Sequence, residues 1–523
     1  MQKLVIVALC GCGCALAQFG RGGGDYSTAG SDAQRSSWVR SDAKITRDNM
    51  QKPGFALCWK VKVNNEPRQL NALTPPALMT RYIGYRGFRS FAFIGGSADK
   101  VFAFDTDLGR IEWQKPIATA AAPAGTAACP GGMTANVTLP VSTAFPGGMG
   151  GRGGGGGRGG AARSGVGEPG EGAVTIKEIA ARGGQNAFPF PDPNAAGRGG
   201  RGGRGGANAA PGAPGAPGAP GGPGGRQRAA SYMHAISSDG MFHSMYVSNG
   251  DEPEPPVKFL PPNANVAGLT FTDGAAYAAT TGGCGGVANA LWALDVASKQ
   301  VANWQAPSAI AGSDGAAIGP DGTLYVATEG GELVALEPKT LKVKDIHKAG
   351  QGFATSPVIF QYKEQVYAAA GTKDGRIYIV DTAKLGAPGY KSTLTVPSFA
   401  TGALASWQDP GGTRYILAAT PGSVVAMKMT GETSLEQAWT SRELTNPLTP
   451  LIVDGVVFAA SGGQRSTPAV LYALDGTTGK EYWNSGKTIT SFVHGSGLSG
   501  GGSQIYLGTY DGTLYAFGYP IEH

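Results

Sequence analysis

Short β-type runs, in which apolar and small residues alternate with polar ones, recur from residue 275 to the end of the chain. Each copy holds a strand that closes on small residues, a Gly-containing hairpin, and a second strand that usually ends in an acid. The pairs are 275–280 with 291–295, 323–328 with 333–337, 365–370 with 377–381, 415–420 with 424–428, 456–460 with 471–475, and 504–509 with 513–518. A period of two puts an aromatic on one face and small residues on the other, where neighbouring sheets can approach closely. The aligned positions Ala293, Ala335, Ile379, Ala426, Ala473 and Ala516 are spaced by 42, 44, 47, 47 and 43 residues. A period of that size, built from short strands, predicts propeller blades. Earlier copies at 91–94 with 101–105, and more weakly at 232–249, bring the strand pairs to eight.

The acid is followed by a turn and then an indole: Asp105, Gly109 and Trp113; Asp295 and Trp304; Asp475, Gly479 and Trp483; more loosely Trp439. Asp caps such a turn through its side chain, Gly supplies positive φ, and Trp buries a large rigid surface between blades. The last copy reaches His523 without a fourth strand, whereas the run at 55–63 around Trp59 reads as a fourth strand with no blade before it. Pairing the two leaves no open edge. The expected fold is therefore all-β: an eight-bladed β-propeller with tryptophan-docking repeats over 55–523, closed by an N-terminal strand. Residues 18–54 form a lead-in.

Composition changes this picture at one place. Between 142 and 230 lie nine arginines and Lys177 against Glu168, Glu171, Glu178 and Asp192, which accounts for the whole net charge of +6. Runs of Gly-Arg and Ala-Pro-Gly cannot bury enough apolar area to offset chain entropy, so 142–230 is expected to be a disordered insert within the propeller. Thr175 and Glu178 form a capping box that predicts a short helix to about Arg182. With the basic charge confined to one loop, no nucleic-acid partner is expected.

Residues 1–17 read as a signal peptide: Lys3 in a short basic region, an apolar run from Leu4, and Ala15 and Ala17 at the cleavage site before Gln18. That run is too short to span a bilayer, and no later stretch is long enough. Export to a periplasmic or extracellular space follows, with an imperfect lipobox around Cys10 and Cys12 as the alternative of a lipid anchor. Past the leader remain Cys58, Cys129 and Cys284. In an oxidising compartment an odd count predicts one bridge and one thiol. Cys129 and Cys284 fall on loops at one side of the ring and are the expected disulfide; Cys58, beside Trp59, is expected to be a buried thiol. A monomer is expected.

The repeats 102–113 and 472–483, and the lead-in carrying Asp32, Arg35, Ile45, Asn49, Leu57 and Trp59, resemble the quinoprotein-like propellers built of PQQ repeats. The resemblance implies eight W-shaped blades. It also implies either a calcium- and pyrroloquinoline-quinone (PQQ)-dependent dehydrogenase of alcohols or sugars, or a non-catalytic member such as the propeller lipoprotein of the outer-membrane barrel-assembly machinery. The family's alcohol dehydrogenases carry an adjacent cysteine pair over the cofactor, which this sequence lacks, and no position here matches their calcium ligands. Upper-face loops offer Arg68, Gln69, Glu329, Lys373, Asp374, Arg465 and His494 as a candidate funnel for a quinone, sugar or peptide. No histidine spacing indicates a metal, and no catalytic residue is assigned. The reading is a binding or scaffold module for a protein or carbohydrate partner, with the PQQ dehydrogenase as alternative.

Overall fold

The computed structural model describes residues 26–145 and 231–520, apart from 70–71, 85–86, 119–124, 127, 393–395, 401, 432–433 and 494–496. The leader, the 175–182 helix and His494 lie outside the described residues. Eight small sheets stand in a ring. In chain order, blade 1 comprises Ala77–Gly84, Gly87–Gly96, Lys100–Asp105 and Arg110–Pro116. Blade 2 has Tyr232–Ile236, Met241–Tyr246 and Val257–Lys258, its inner edge completed by a bridge from Thr138 to His234. Blades 3 to 6 follow over 265–305, 317–348, 358–391 and 405–440, with four strands each. Blade 7 spans Leu451–Val453 to Glu481–Asn484.

Blade 8 carries the closure. Its strands Leu498–Gly501, Gln504–Gly508 and Thr513–Gly518 are joined by Ala56–Lys62, antiparallel, with Trp59 opposite Ala516 and Val61 opposite Leu514. Both ends of the ring share one sheet. The register shifts between Leu57 and Trp59, so Cys58 sits at a bulge. It is only half-buried, where a fully buried thiol was expected, because this outermost strand has solvent on one side.

Among the described residues, seven buried apolar clusters hold the blades together. One joins blades 1 and 2 through Phe93, Trp113 and Met233; another joins blades 6 and 7 through Trp407, Leu417 and Val457. Each buried Val, Leu or Phe contributes about 1.5–3 kcal/mol. The docking indoles repeat one arrangement. Trp59 Nε1 donates to Thr106 O (2.9 Å), Trp113 Nε1 to Val247 O (3.0 Å) and Trp439 Nε1 to Gly476 O (2.9 Å), each in a turn of the next blade. Under each ring lies a glycine at positive φ: Gly109, Gly250 and Gly479. A Cβ there would stand 2.5–2.8 Å from the indole. Trp304 and Trp483 pack at the joints after blades 3 and 7, Trp483 edge-on to Phe55 at 4.8 Å.

The hairpins at Asp374-Gly375 and Asp511-Gly512 carry positive φ on the glycine only (78° and 79°). Gly375 N donates to Thr372 O and Thr372 N to Arg376 O, with the same pattern at Thr509 and Thr513. These are type I turns closed by a glycine bulge, one residue longer than the two-residue type I′ form that an Asp-Gly pair signals.

Candidate functional site

Strand order defines two faces. The upper face carries the hairpins between second and third strands; the lower face carries the turns on either side of them. The described funnel candidates all fall on the upper face, in three separate places. Tyr510 Oη donates to Gln69 O (2.6 Å) and Gln69 Nε2 to Gly125 O (2.6 Å). Arg465 stands over the stacked rings of Phe492 and Tyr510, at 5.9 and 5.2 Å, so blades 7, 8 and 1 meet there with Arg68 alongside Gln69. Glu329 and Lys373 pair at 2.7 Å across blades 4 and 5. Asp374 turns away to Lys391 (2.9 Å), and its carboxyl is lowered: hydrogen bonds from Thr372 and Lys391 outweigh the opposing effect of burial. Cys129 and Cys284 are bonded on this face, with Cα atoms 5.5 Å apart, linking the connection after blade 1 to the hairpin of blade 3.

The axial channel holds what the sequence reading missed. Residues 26–37 lie inside it and, with Asp42 at its lower end, touch the blades in chain order. Leu78 N donates to Tyr26 O, Leu139 N to Ser27 O, Ile318 N to Ala33 O, Ile359 N to Gln34 O, Ser406 N to Ser36 O, and Ile452 N to Ser37 O, all at 2.7–2.9 Å. Thr28 Oγ1 donates to Leu269 O of blade 3 (2.8 Å), and Asp42 accepts from Ser503 of blade 8. Trp38–Val39 adds a parallel strand to blade 7. Inner-strand amides facing a channel need acceptors, and this belt supplies them.

Arg35 anchors the belt with no solvent exposure. Its Nε donates to Ala316 O (3.0 Å), Nη1 to Ala29 O and Thr28 Oγ1 (2.5 and 3.2 Å), and Nη2 to Gly268 O and Thr270 Oγ1 (2.9 and 2.7 Å). Asp32 is partly buried; burial raises its carboxyl, opposed by hydrogen bonds from Ser36. The lead-in then forms one helical turn, Arg47–Met50, capped by Thr46, and Arg47 reaches Asp475 of blade 7 at 2.6 Å. The signal for the belt was a polar stretch of small residues with tightly curved backbone, Ser31, Arg35 and Ser37 all having positive φ. In a sequence such a stretch reads as a linker.

PQQ and calcium, which the repeat family brings to mind, fit poorly here. Six amides along the inner edges of the blades are taken by the protein's own belt. Glu329 and Asp374 are held by lysines, and among the described residues no three His, Cys, Asp or Glu side chains converge as a metal site.

Residues 289–518, fewer than half of the chain, match the PQQ_2 family model, described as outer membrane protein assembly factor BamB. The fold is similar to quinohemoprotein alcohol dehydrogenase from Comamonas testosteroni (11% identity, TM-score 0.55, 96% of this chain and 81% of that one). It is also similar to BamB from Moraxella catarrhalis (11%, 0.50, 90% and 99%) and to a europium-containing methanol dehydrogenase (10%, 0.53, 95% and 98%). At such identities the likeness is one of fold. None of the curated proteins matches the chain. With its repeats, its eight blades and its N-terminal closure, the chain has the fold of the quinoprotein-like eight-bladed β-propellers, and residues 289–518 carry its match to the PQQ-repeat family.

Proposed function

We propose that this protein is an exported, non-enzymatic propeller whose upper face grips a protein partner. The observation that carries the reading is the belt: a channel whose inner amides are bonded to residues 26–39 is built to be rigid rather than to receive a cofactor. The gripping surface is the patch where exposed Arg465 lies over Tyr510 and Phe492, beside Gln69 and Arg68. Aromatic and arginine side chains of this kind dominate protein–protein binding energy. The family description of an assembly factor supports a protein over a carbohydrate. No described helix is long and apolar enough to cross a membrane.

The test has two arms. Purified protein titrated with PQQ and Ca²⁺ is expected to give no saturable spectral change and no alcohol- or sugar-dependent dye reduction; binding with turnover would establish the dehydrogenase instead. A photo-crosslinker at position 465, in the exported fraction of the source cells, is expected to trap one discrete protein that the same group at lower-face Lys342 does not. Identical patterns from both positions would remove the upper face from the account.

A further inference from the structure

The lower mouth of the channel carries two arginines that form no ion pair among the described residues. Trp38 leaves the belt there, and the guanidinium carbons of Arg40 and Arg414 stand 4.0 and 5.7 Å from its ring centroid. Arg414 begins the second strand of blade 6, is 4% exposed, and also lies 5.5 Å from the Phe360 ring. Its Nη2 is taken by Gln361 O (2.7 Å) and Gln408 Oε1 (3.1 Å). Its Nε is buried with no partner, and so is the Nε of half-buried Arg40. Among the described residues nothing accepts a hydrogen bond from Arg40 at all. Both Nη groups of Arg40 and Nη1 of Arg414 are likewise without a partner among the described residues.

Charge bookkeeping makes the cluster unusual. The acid that acts on Arg40 is Asp32, which also faces Arg35 and is already bonded to Ser36. Arg414 feels Arg40 and Tyr362 but no carboxylate; burial, then the repulsion from Arg40, pushes its guanidinium down to about 9. Two like charges held on one indole, partly out of water, are costly unless an anion joins them. Arginine forks match the paired oxygens of phosphate and carboxylate.

We propose that Arg40 and Arg414 form an oxyanion-binding site at the lower mouth of the channel, taking a phosphate or carboxylate group of a ligand. It is independent of the upper-face patch and of the protein-partner reading.

The test uses the full protein, with inorganic phosphate and succinate as separate probes and chloride at matched ionic strength as reference. Calorimetric titration and thermal melting are followed for the wild type, Arg40→Gln, and Lys480→Gln, which removes an exposed lower-face charge. Saturable binding of either probe is expected, the tighter one identifying the source of the oxyanion. Arg40→Gln should weaken it by about tenfold or more, and Lys480→Gln by less than about twofold. Without added anion, Arg40→Gln should melt higher than the wild type, since it relieves repulsion at Arg414. A purely structural stack on Trp38 would make it melt lower. No saturable binding of either probe, or equal binding by the wild type and Arg40→Gln, would overturn the proposal.

Discussion

Replacing Arg35 by Met isolates the belt, because Met fills similar space and removes the fork. Three carbonyls (Ala29, Gly268, Ala316) then lose a charged donor inside a region with no solvent, and Thr28 and Thr270 lose another. Each unsatisfied buried acceptor costs about 1–3 kcal/mol. Removing the desolvated charge gives part of this back, leaving a net loss of about 3–5 kcal/mol. For a domain this large, that lowers Tm by about 4–6 °C. Calorimetric or circular-dichroism melting of the wild type, Arg35→Met and Arg35→Lys reads it directly. Lysine keeps the charge but not the five-donor geometry, and should fall between the others. If Arg35→Met melts within about 1 °C of the wild type, the belt does not hold the ring, whatever its geometry.

Gly479→Ala drives a Cβ to 2.8 Å from the Trp439 ring at φ 72° and should cost about 2–4 kcal/mol. Gly431→Ala, with φ 74° and open space around it, should cost only the backbone part, about 1–2 kcal/mol; equal effects in melting experiments would contradict the indole dock. His234 is unexposed against Phe242 and Phe271, and burial holds its imidazole at about 3. Its folded pKa lies below the unfolded 6.5, so the neutral ring contributes full stability above pH 6.5. Stability should fall by about 1.4 kcal/mol per unit as the pH drops from there toward 3. His234→Phe should lose that share of the slope in denaturant titrations at several pH values. Without residues 1–17, the denatured, unreduced protein should show one titratable thiol, Cys58; three would rule out the Cys129–Cys284 bridge.

The blades were legible because the repeat is local. Alternation fixes each strand, Asp475 and its equivalents cap the turn by bonding its amides, and glycine marks where an indole lands. The closing strand was legible from what was missing at the end of the chain. The belt was not. Its hydrogen bonds join residue 34 to residue 359, or residue 37 to residue 452, and nothing in the local pattern of 26–39 records such distant partners. The Asp32 and Arg35 signature resembled the family's lead-in, and what it does is visible only in the structure, where both side chains organise the channel lining. Hydrophobic periodicity cannot say which of the upper-face loop side chains meet. The cluster of Arg40, Trp38 and Arg414 escaped notice for the same reason, its members coming from the belt and blade 6.

The central claim is that the chain's own N-terminal segment occupies the axis of the ring. Amide hydrogen exchange of Leu78, Leu139, Ile318, Ile359, Ser406 and Ile452, the donors to residues 26–37, measures this most directly. Protection equal to that of the blade interiors is the expected result. Exchange of these six at the rate of exposed loops, while their own sheets stay protected, would mean a channel open to solvent and would contradict the account.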